Sequence, residues 1–394
     1  MNAISDAFAT QKRTEVVLRE AAAHPVPAQE TRGRVLLPDL IKAGAAQIIA
    51  WHHFCLFGPM SDAAWWYAPA LFKWLANNGK LSVQCFLVMG GFMAASALLP
   101  GGNKPWAGPR LSEWPAIVWR RYKRLAKVYF IGLAAAIVCA IVARAMIDDP
   151  STPAAPDLYA IVAHLFFAQD VLGVPALTAG AWYVAIDLQL YALLALLCVL
   201  SAGLVAGRAA RYVAMGLVVC LGLVSLLLFN RSPELEMWGI YFFGSYSLGI
   251  AAHWISRLQG LRKRLWMLVM VAACMTALLV EWRSRIALST VTACALVLFG
   301  TYRTTAKNWF VSLVGYLSRI SFPLFVLHYP VLMLVGAIVG AAWDDDPAAN
   351  MMGLIVAWSL AMVAATAVAA WLDPVKKAKP AYSQWSHTTG LAQV

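Results

Sequence analysis

The sequence predicts an all-α integral membrane protein, a polytopic bundle of about ten transmembrane helices with both termini in the cytoplasm (N-in/C-in). Three observations carry this. The 394 residues are 61% hydrophobic and 13% charged, with mean hydropathy +0.68, too apolar for a soluble chain of this length. Apolar runs of crossing length, roughly 17–25 residues, recur at 36–57, 79–99, 124–147, 181–206, 212–229, 237–255, 265–281, 286–301, 320–342 and 352–372. Basic residues gather at alternate ends of these runs.

Residues 1–35 lack the apolar core of a signal peptide and read as a cytoplasmic arm. Lys12, Arg13, Arg19, Arg32 and Arg34 precede the first run, and Lys104, Arg110, Arg120, Arg121, Lys123 and Arg124 follow the second. Arg208 and Arg211 follow the fourth, Arg257, Arg262, Lys263 and Arg264 the sixth, Arg303, Lys307 and Arg319 the eighth, and Lys376, Lys377 and Lys379 the tenth. The other loops carry Asp148, Asp149 and Asp157, then Glu234 and Glu236, then Asp344, Asp345 and Asp346, with Arg283 and Arg285 the exception. The positive-inside rule therefore sets the orientation. A shorter apolar piece near 158–170 is too brief to span and is expected to lie at an interface or re-enter. Residues 36–372 form one transmembrane domain, and 373–394 a polar cytoplasmic tail with no second globular domain behind it.

The net charge of +12 thus tracks the membrane, and nucleic acid is not the expected partner. The cysteines all fall in or beside apolar runs, with no Cys-x-x-Cys pair and no metal-ligand spacing, so they read as small buried hydrophobes and no metal is expected.

Four segments place ionisable or polar groups where they are expensive to keep. In the first run, Asp39, Lys42 and His53 return to nearly one helical face and form a polar stripe about 21 Å long. Histidine can take a proton from a hydroxyl near neutral pH; the plain alternative is a histidine that anchors the helix at the outer interface. At the mouth of the third run stand Arg120, Arg121, Lys123 and Arg124. Guanidinium forks at i,i+3 and i,i+4 suit phosphate groups, although topology alone also puts basic clusters there. Tyr183, Asp187 and Tyr191 recur at i+4 near the start of the fourth run. Asp187 is expected at a depth similar to His53, as its orienting partner, or else in a structural interhelical hydrogen bond. In the ninth run Ser321 and His328 share a face, and Pro323 and Pro330 free backbone carbonyls. His328 alone reads as a packed or hydrogen-bonded core histidine.

Together these segments resemble the membrane acyltransferase 3 family, bacterial integral-membrane O-acyltransferases, in its stand-alone form without a fused extracytoplasmic domain. Its Arg-x10-His pattern is similar to Lys42-x10-His53, and its Arg-x-x-Arg to Arg121-x-x-Arg124. The Trp-Ser-Leu-x-x-Glu-x-Gln-Phe-Tyr segment resembles Trp182 to Tyr191, with Asp187 in the glutamate position. The Phe-Phe-x-x-Ser-Gly-Phe stretch resembles Phe86 to Phe92, with Gly90 for serine, and Gln84 stands for an aspartate. The late Ser-Tyr-x-x-Tyr-x-x-His-x-Pro segment resembles Ser321 to Pro330. The resemblance runs in order from about 36 to 372.

It implies an enzyme of a bacterial cytoplasmic (inner) membrane that transfers an acyl group, acetyl first, from cytoplasmic acyl-CoA to a hydroxyl of a glycan, a lipid-linked glycan or another exported acceptor. His53 and Asp187 are the implied catalytic residues. Arg121 and Arg124, with Arg120, Lys123 and Lys42, are implied to hold the donor's phosphates, and Tyr183, Tyr191, Ser321 and His328 to line the site. Acyl-CoA is a co-substrate, with no tightly bound cofactor. Membrane lipid surrounds the bundle, and a partner protein can deliver the acceptor. The rival is a secondary transporter using buried His, Asp and Lys, which often shows a repeat of hydropathy; none is seen.

Overall fold

The computed structural model describes residues 33–100, 106, 108–306 and 308–372. The tail at 373–394 and the arm apart from residues 33–35 lie outside the described residues, as do Lys104 and Lys307.

The chain forms α1 (Leu36–Phe54), α2 (Met60–Ala64), α3 (Pro69–Asn78), α4 (Val83–Leu98), α5 (Trp114–Met146), α6 (Leu158–Leu165), α7 (Ala181–Leu204), α8 (Arg208–Leu227), α9 (Gly239–Ile255), α10 (Gly260–Val280), α11 (Ser284–Phe299), α12 (Trp309–Trp343) and α13 (Pro347–Leu372). Each expected apolar run coincides with one of the longer helices. Seven helical stretches are long and apolar enough to cross a membrane: Pro69–Leu98, Leu111–Met146, Ala181–Leu204, Arg208–Arg231, Gly260–Val280, Trp309–Trp343 and Pro347–Leu372. The others differ for physical reasons. α1 carries Asp39, Lys42, His52 and His53 within 19 residues, α9 is 17 residues long, and α11 is 16.

One feature departs from the all-α expectation. Arg34–Val35 pairs antiparallel with Arg303–Thr304, Arg34 opposite Thr304, and the Arg303 guanidinium donates to the Gly33 carbonyl at 2.8 Å. The ladder ties the start of α1 to the connection between α11 and α12.

The 35-residue α12 packs against α13, α1 and α5, while α9 packs against α4, α8 and α11. Contacts of α4 with α1, and of α7 with α5 on one side and with α8 and α9 on the other, join the two groups. Small residues let helices approach where lipid offers no hydrophobic drive to associate. At the crossing of α4 and α9, a β-carbon on Gly91 would overlap the Tyr246 carbonyl oxygen, and one on Gly249 the Val88 carbonyl oxygen. That close approach brings Tyr246 beside Gly90.

The segment between α5 and α7 turns back into the bundle. The Leu165 carbonyl accepts from the Tyr122 hydroxyl at 2.7 Å, and the Phe167 ring packs edge-on to Tyr129 at 5.0 Å. Phe167, with φ 57°, makes the return turn. His164 staples it: Nδ1 donates to the Ala160 carbonyl at 2.9 Å and Nε2 accepts from the Leu177 amide at 3.2 Å. The chain then enters α7 at Gly180, where a β-carbon would lie 2.8 Å from the Phe325 ring. Consequently α7 starts near the middle of α12 rather than at the level of its end.

Candidate active site

Two buried polar centres emerge, at different depths. The first joins the histidines of α1 and α12. His53 Nδ1 lies 2.7 Å from His328 Nε2, with ring planes 6° apart. His328 Nδ1 lies 3.0 Å from the Leu324 carbonyl, which can only accept, so this nitrogen carries the proton. In a neutral imidazole the other nitrogen is then an acceptor. His53 Nδ1–H therefore donates to His328 Nε2, and the His53 Nε2 lone pair is left over. His53 is 8% exposed and His328 is fully buried, so the nitrogen able to accept a proton belongs to the more accessible ring. Phe54 and Phe57 pack around the pair, Phe57 at 5.5 Å from His53 and Phe54 at 6.3 Å from His328. The neighbouring His52 is engaged elsewhere, its Nδ1 donating to the Leu75 carbonyl at 2.8 Å.

The second centre corrects the expected role of Asp187. It does not orient His53. Its carboxylate is held bidentately by Arg121, with Nε to Oδ2 at 2.9 Å and Nη2 to Oδ1 at 2.7 Å. The reason is depth. Gly79 packs against His52, whereas Gly90, 11 residues further along, packs against Asp187; by helical rise this separates the two levels by about 17 Å. A helix entering at mid-depth carries its seventh residue, Asp187, well below the histidines. Tyr191 lies under the Arg121 guanidinium at 5.1 Å, and a β-carbon on Gly90 would stand 3.2 Å from the Tyr246 ring and 3.6 Å from Asp187 Oδ1.

The basic cluster is thereby divided. Arg121 turns inward to Asp187, while Arg120, Lys123 and Arg124 are exposed and have no carboxylate partner among the described residues. Lys42 pairs with Asp39 at 3.1 Å, and Asp39 also accepts from Arg34 at 2.6 Å and from the Ser318 hydroxyl at 2.6 Å. These residues, with Gly315, Tyr316 and Arg319, line a cleft of about 540 Å³. Ser321 bonds its own helix, donating to the Ser318 carbonyl at 2.8 Å, and is not joined to His328. Tyr183 packs against Phe86 and Phe325. At the far end, beyond Phe57, a second cleft of about 570 Å³ is lined by Leu56, Asp62, Asp148, Asp149, Ser151 and Asp344, among others.

Sequence reasoning missed the contact between His53 and His328, which 275 residues separate. It also missed Tyr246, whose only signal is a Gly-Ser-Tyr-Ser run inside an apolar helix, and the dipping segment's His164.

A bundle with seven helical stretches long and apolar enough to cross a membrane, enclosing a buried histidine pair, defines a polytopic membrane protein. The family described as an acyltransferase domain, acyltransferase 3, matches residues 36–373, and the chain belongs to that family of membrane acyltransferases. Among curated proteins it is similar to the "Regulator of hypoxia-inducible factor 1" of Caenorhabditis elegans, 27% identical over 164 residues, 41% of this chain and 28% of that one. The chain thus spans under a third of that relative's length. No solved structure matches it.

If His328 fixes the His53 tautomer, His328→Ala lowers turnover by up to about 10⁴-fold, the loss that follows when a catalytic histidine is held in the wrong tautomer, and His328→Gln restores part of it through an acceptor oxygen. Equal activity of the alanine and glutamine variants with the wild type would show that the contact has no such role.

Proposed function

We propose that this protein transfers an acyl group, acetyl first, from cytoplasmic acyl-CoA to a hydroxyl of an exported glycan, lipid-linked glycan or other exported acceptor, with His53 as general base. The observation that carries the reading is the buried contact of His53 Nδ1 with His328 Nε2 at 2.7 Å, with His328 Nδ1 on the Leu324 carbonyl at 3.0 Å, which supports His53 Nε2 as the base. Nε2 takes the acceptor hydroxyl proton as its oxygen attacks the thioester carbonyl carbon. The carbon–sulfur bond breaks as the tetrahedral intermediate collapses, and the imidazolium returns the proton to the departing thiolate, giving the ester and free CoA. His328 Nε2 accepts from the charged ring throughout, as a carboxylate does in other acid/base pairs.

The bundle crosses the membrane of a bacterium about ten times, N-in/C-in. The cation-lined cleft at the start of α1 and the carboxylate-lined cleft at its other end agree with this orientation. The exposed Arg120, Lys123 and Arg124 receive the donor's phosphates, with Lys42 and Arg319 near the same end. The interval of about 17 Å between the level of Asp187 and that of the histidines is of the order an extended pantetheine arm covers. Arg121 and Asp187 shape the path between them.

Acetyl-CoA is expected to raise the melting temperature of the detergent-purified protein, since a ligand that binds only the folded state at a hundredfold excess over Kd adds about 2.7 kcal/mol. An Arg120→Ala/Arg124→Ala variant should keep its ligand-free melting temperature and lose most of that gain. A wild type that no acyl-CoA stabilises would remove the donor from this reading.

A further inference from the structure

The cleft at the start of α1 carries more positive charge than its own carboxylate balances. Three of its lining residues are cations, Arg34, Lys42 and Arg319, and one is an acid, Asp39, which leaves an excess of two charges. Asp39 is committed to Arg34, Lys42 and the Ser318 hydroxyl. Arg319 is exposed and has no carboxylate partner among the described residues. A phosphate monoester carries about 1.5 to 2 negative charges at neutral pH and three acceptor oxygens, which matches both the charge and the donors.

The fold fixes this arrangement and its depth. The ladder of Arg34–Val35 with Arg303–Thr304 holds the Arg34 backbone, and Asp39 holds its guanidinium at 2.6 Å. α12 makes room for that guanidinium at Gly315, where a β-carbon would overlap it. The cleft also stands level with the exposed arginines of α5. The two helices run parallel, since a β-carbon on Gly132 would overlap the Val326 side chain and one on Gly340 would lie 3.6 Å from Ile147. Arg124 is eight residues before Gly132 and Arg319 seven before Val326, so helical rise puts them about 12 and 10 Å toward the same end. Helices in contact have axes about 8–10 Å apart. In CoA a single ribose separates the 3′-phosphate from the diphosphate, so a donor with its diphosphate on Arg120 and Arg124 brings the 3′-phosphate to the neighbouring cleft.

We propose that Arg34, Lys42 and Arg319 form the site for the donor's 3′-phosphate, so that the protein selects CoA thioesters over dephospho-CoA thioesters. This rests on the acyl-CoA reading above.

The test compares apparent Kd values for acetyl-CoA and acetyl-dephospho-CoA, which lacks only the 3′-phosphate, taken from the dose dependence of the melting temperature in one detergent. The wild type should bind acetyl-dephospho-CoA about tenfold or more weakly, the scale of a lost hydrogen bond between charged groups. Arg319→Ala and Lys42→Met should each weaken acetyl-CoA and leave acetyl-dephospho-CoA little changed, bringing the two within about threefold. Arg120→Ala, on the diphosphate side, should weaken both alike. Ligand-free melting temperatures report whether each variant folds, and Arg319→Gln serves in place of an alanine variant that does not. A wild-type ratio within about threefold overturns the 3′-phosphate site and leaves the donor reading intact. A ratio that stays at the wild-type value in both variants does the same, because the phosphate is then read elsewhere. Phosphatidylglycerol added to the micelles is the lipid control: a gain in melting temperature that Arg319→Ala abolishes, with no discrimination between the thioesters, assigns the cleft to a lipid phosphate and overturns the proposal. Stabilisation by neither thioester overturns the donor reading, and this site with it.

Discussion

Replacing His53 by glutamine is expected to lower acyl transfer by about 10²- to 10⁴-fold, the usual contribution of a general base, with little change in melting temperature. Glutamine separates two functions that alanine would remove together. Its amide N–H can still donate to His328 Nε2, which otherwise becomes a buried acceptor without a partner, a defect worth about 1–3 kcal/mol. What glutamine lacks is the basic Nε2. His53→Ala should be as inactive and also less stable, because it opens a space beside Phe54 and Phe57 and strands His328. Release of free thiol from acetyl-CoA, followed in membranes of cells expressing each variant, measures the loss. Turnover near the wild type in His53→Gln would mean that another group takes the proton, and the mechanism would have to be rebuilt around it.

The helices and most of the polar residues that matter were legible in the sequence, for different reasons. Helices show themselves through the length of apolar runs, so each of the longer ones has its run. His53, Arg121, Asp187 and His328 stand out because ionisable groups are conspicuous in apolar surroundings. Their pairing was not legible. Asp187 and Arg121 are 66 residues apart, and His53 and His328 are 275 apart, with no local pattern to link them. The error over Asp187 came from one assumption, that the fourth run begins at the membrane surface. The segment around Phe167 breaks it by carrying the chain back to Phe325 before α7 starts. A dip of this kind is held together by contacts such as Tyr122 to Leu165 and His164 to Leu177, which only the folded chain displays. The two-residue ladder at Arg34–Val35 is too short to leave a pattern in the sequence.

Asp187→Asn is expected to destabilise the protein by about 3–5 kcal/mol, the cost of leaving one member of a buried ion pair unpaired. Had Asp187 oriented His53, the same change would chiefly have slowed turnover. The observed partner changes the prediction: with a neutral amide at 187, the Arg121 guanidinium keeps its charge among Tyr183, Tyr191 and Tyr246 and loses the carboxylate that holds it by two nitrogens. Burying a charge in this way is far more costly than losing an ordinary hydrogen bond. The companion variant Arg121→Met/Asp187→Leu removes both charges at similar volume, and such replacements are often neutral or stabilising. Its melting temperature should lie closer to the wild type than that of Asp187→Asn, a non-additivity expected of groups in direct contact. The double variant should still gain stability from acetyl-CoA, because Arg120, Lys123 and Arg124 are untouched and exposed. If Asp187→Asn melts with the wild type, the ion pair is not a structural tie. If it is stable and the double variant has lost its response to acetyl-CoA, Arg121 belongs with the donor's phosphates after all, and Asp187 holds its place until they arrive.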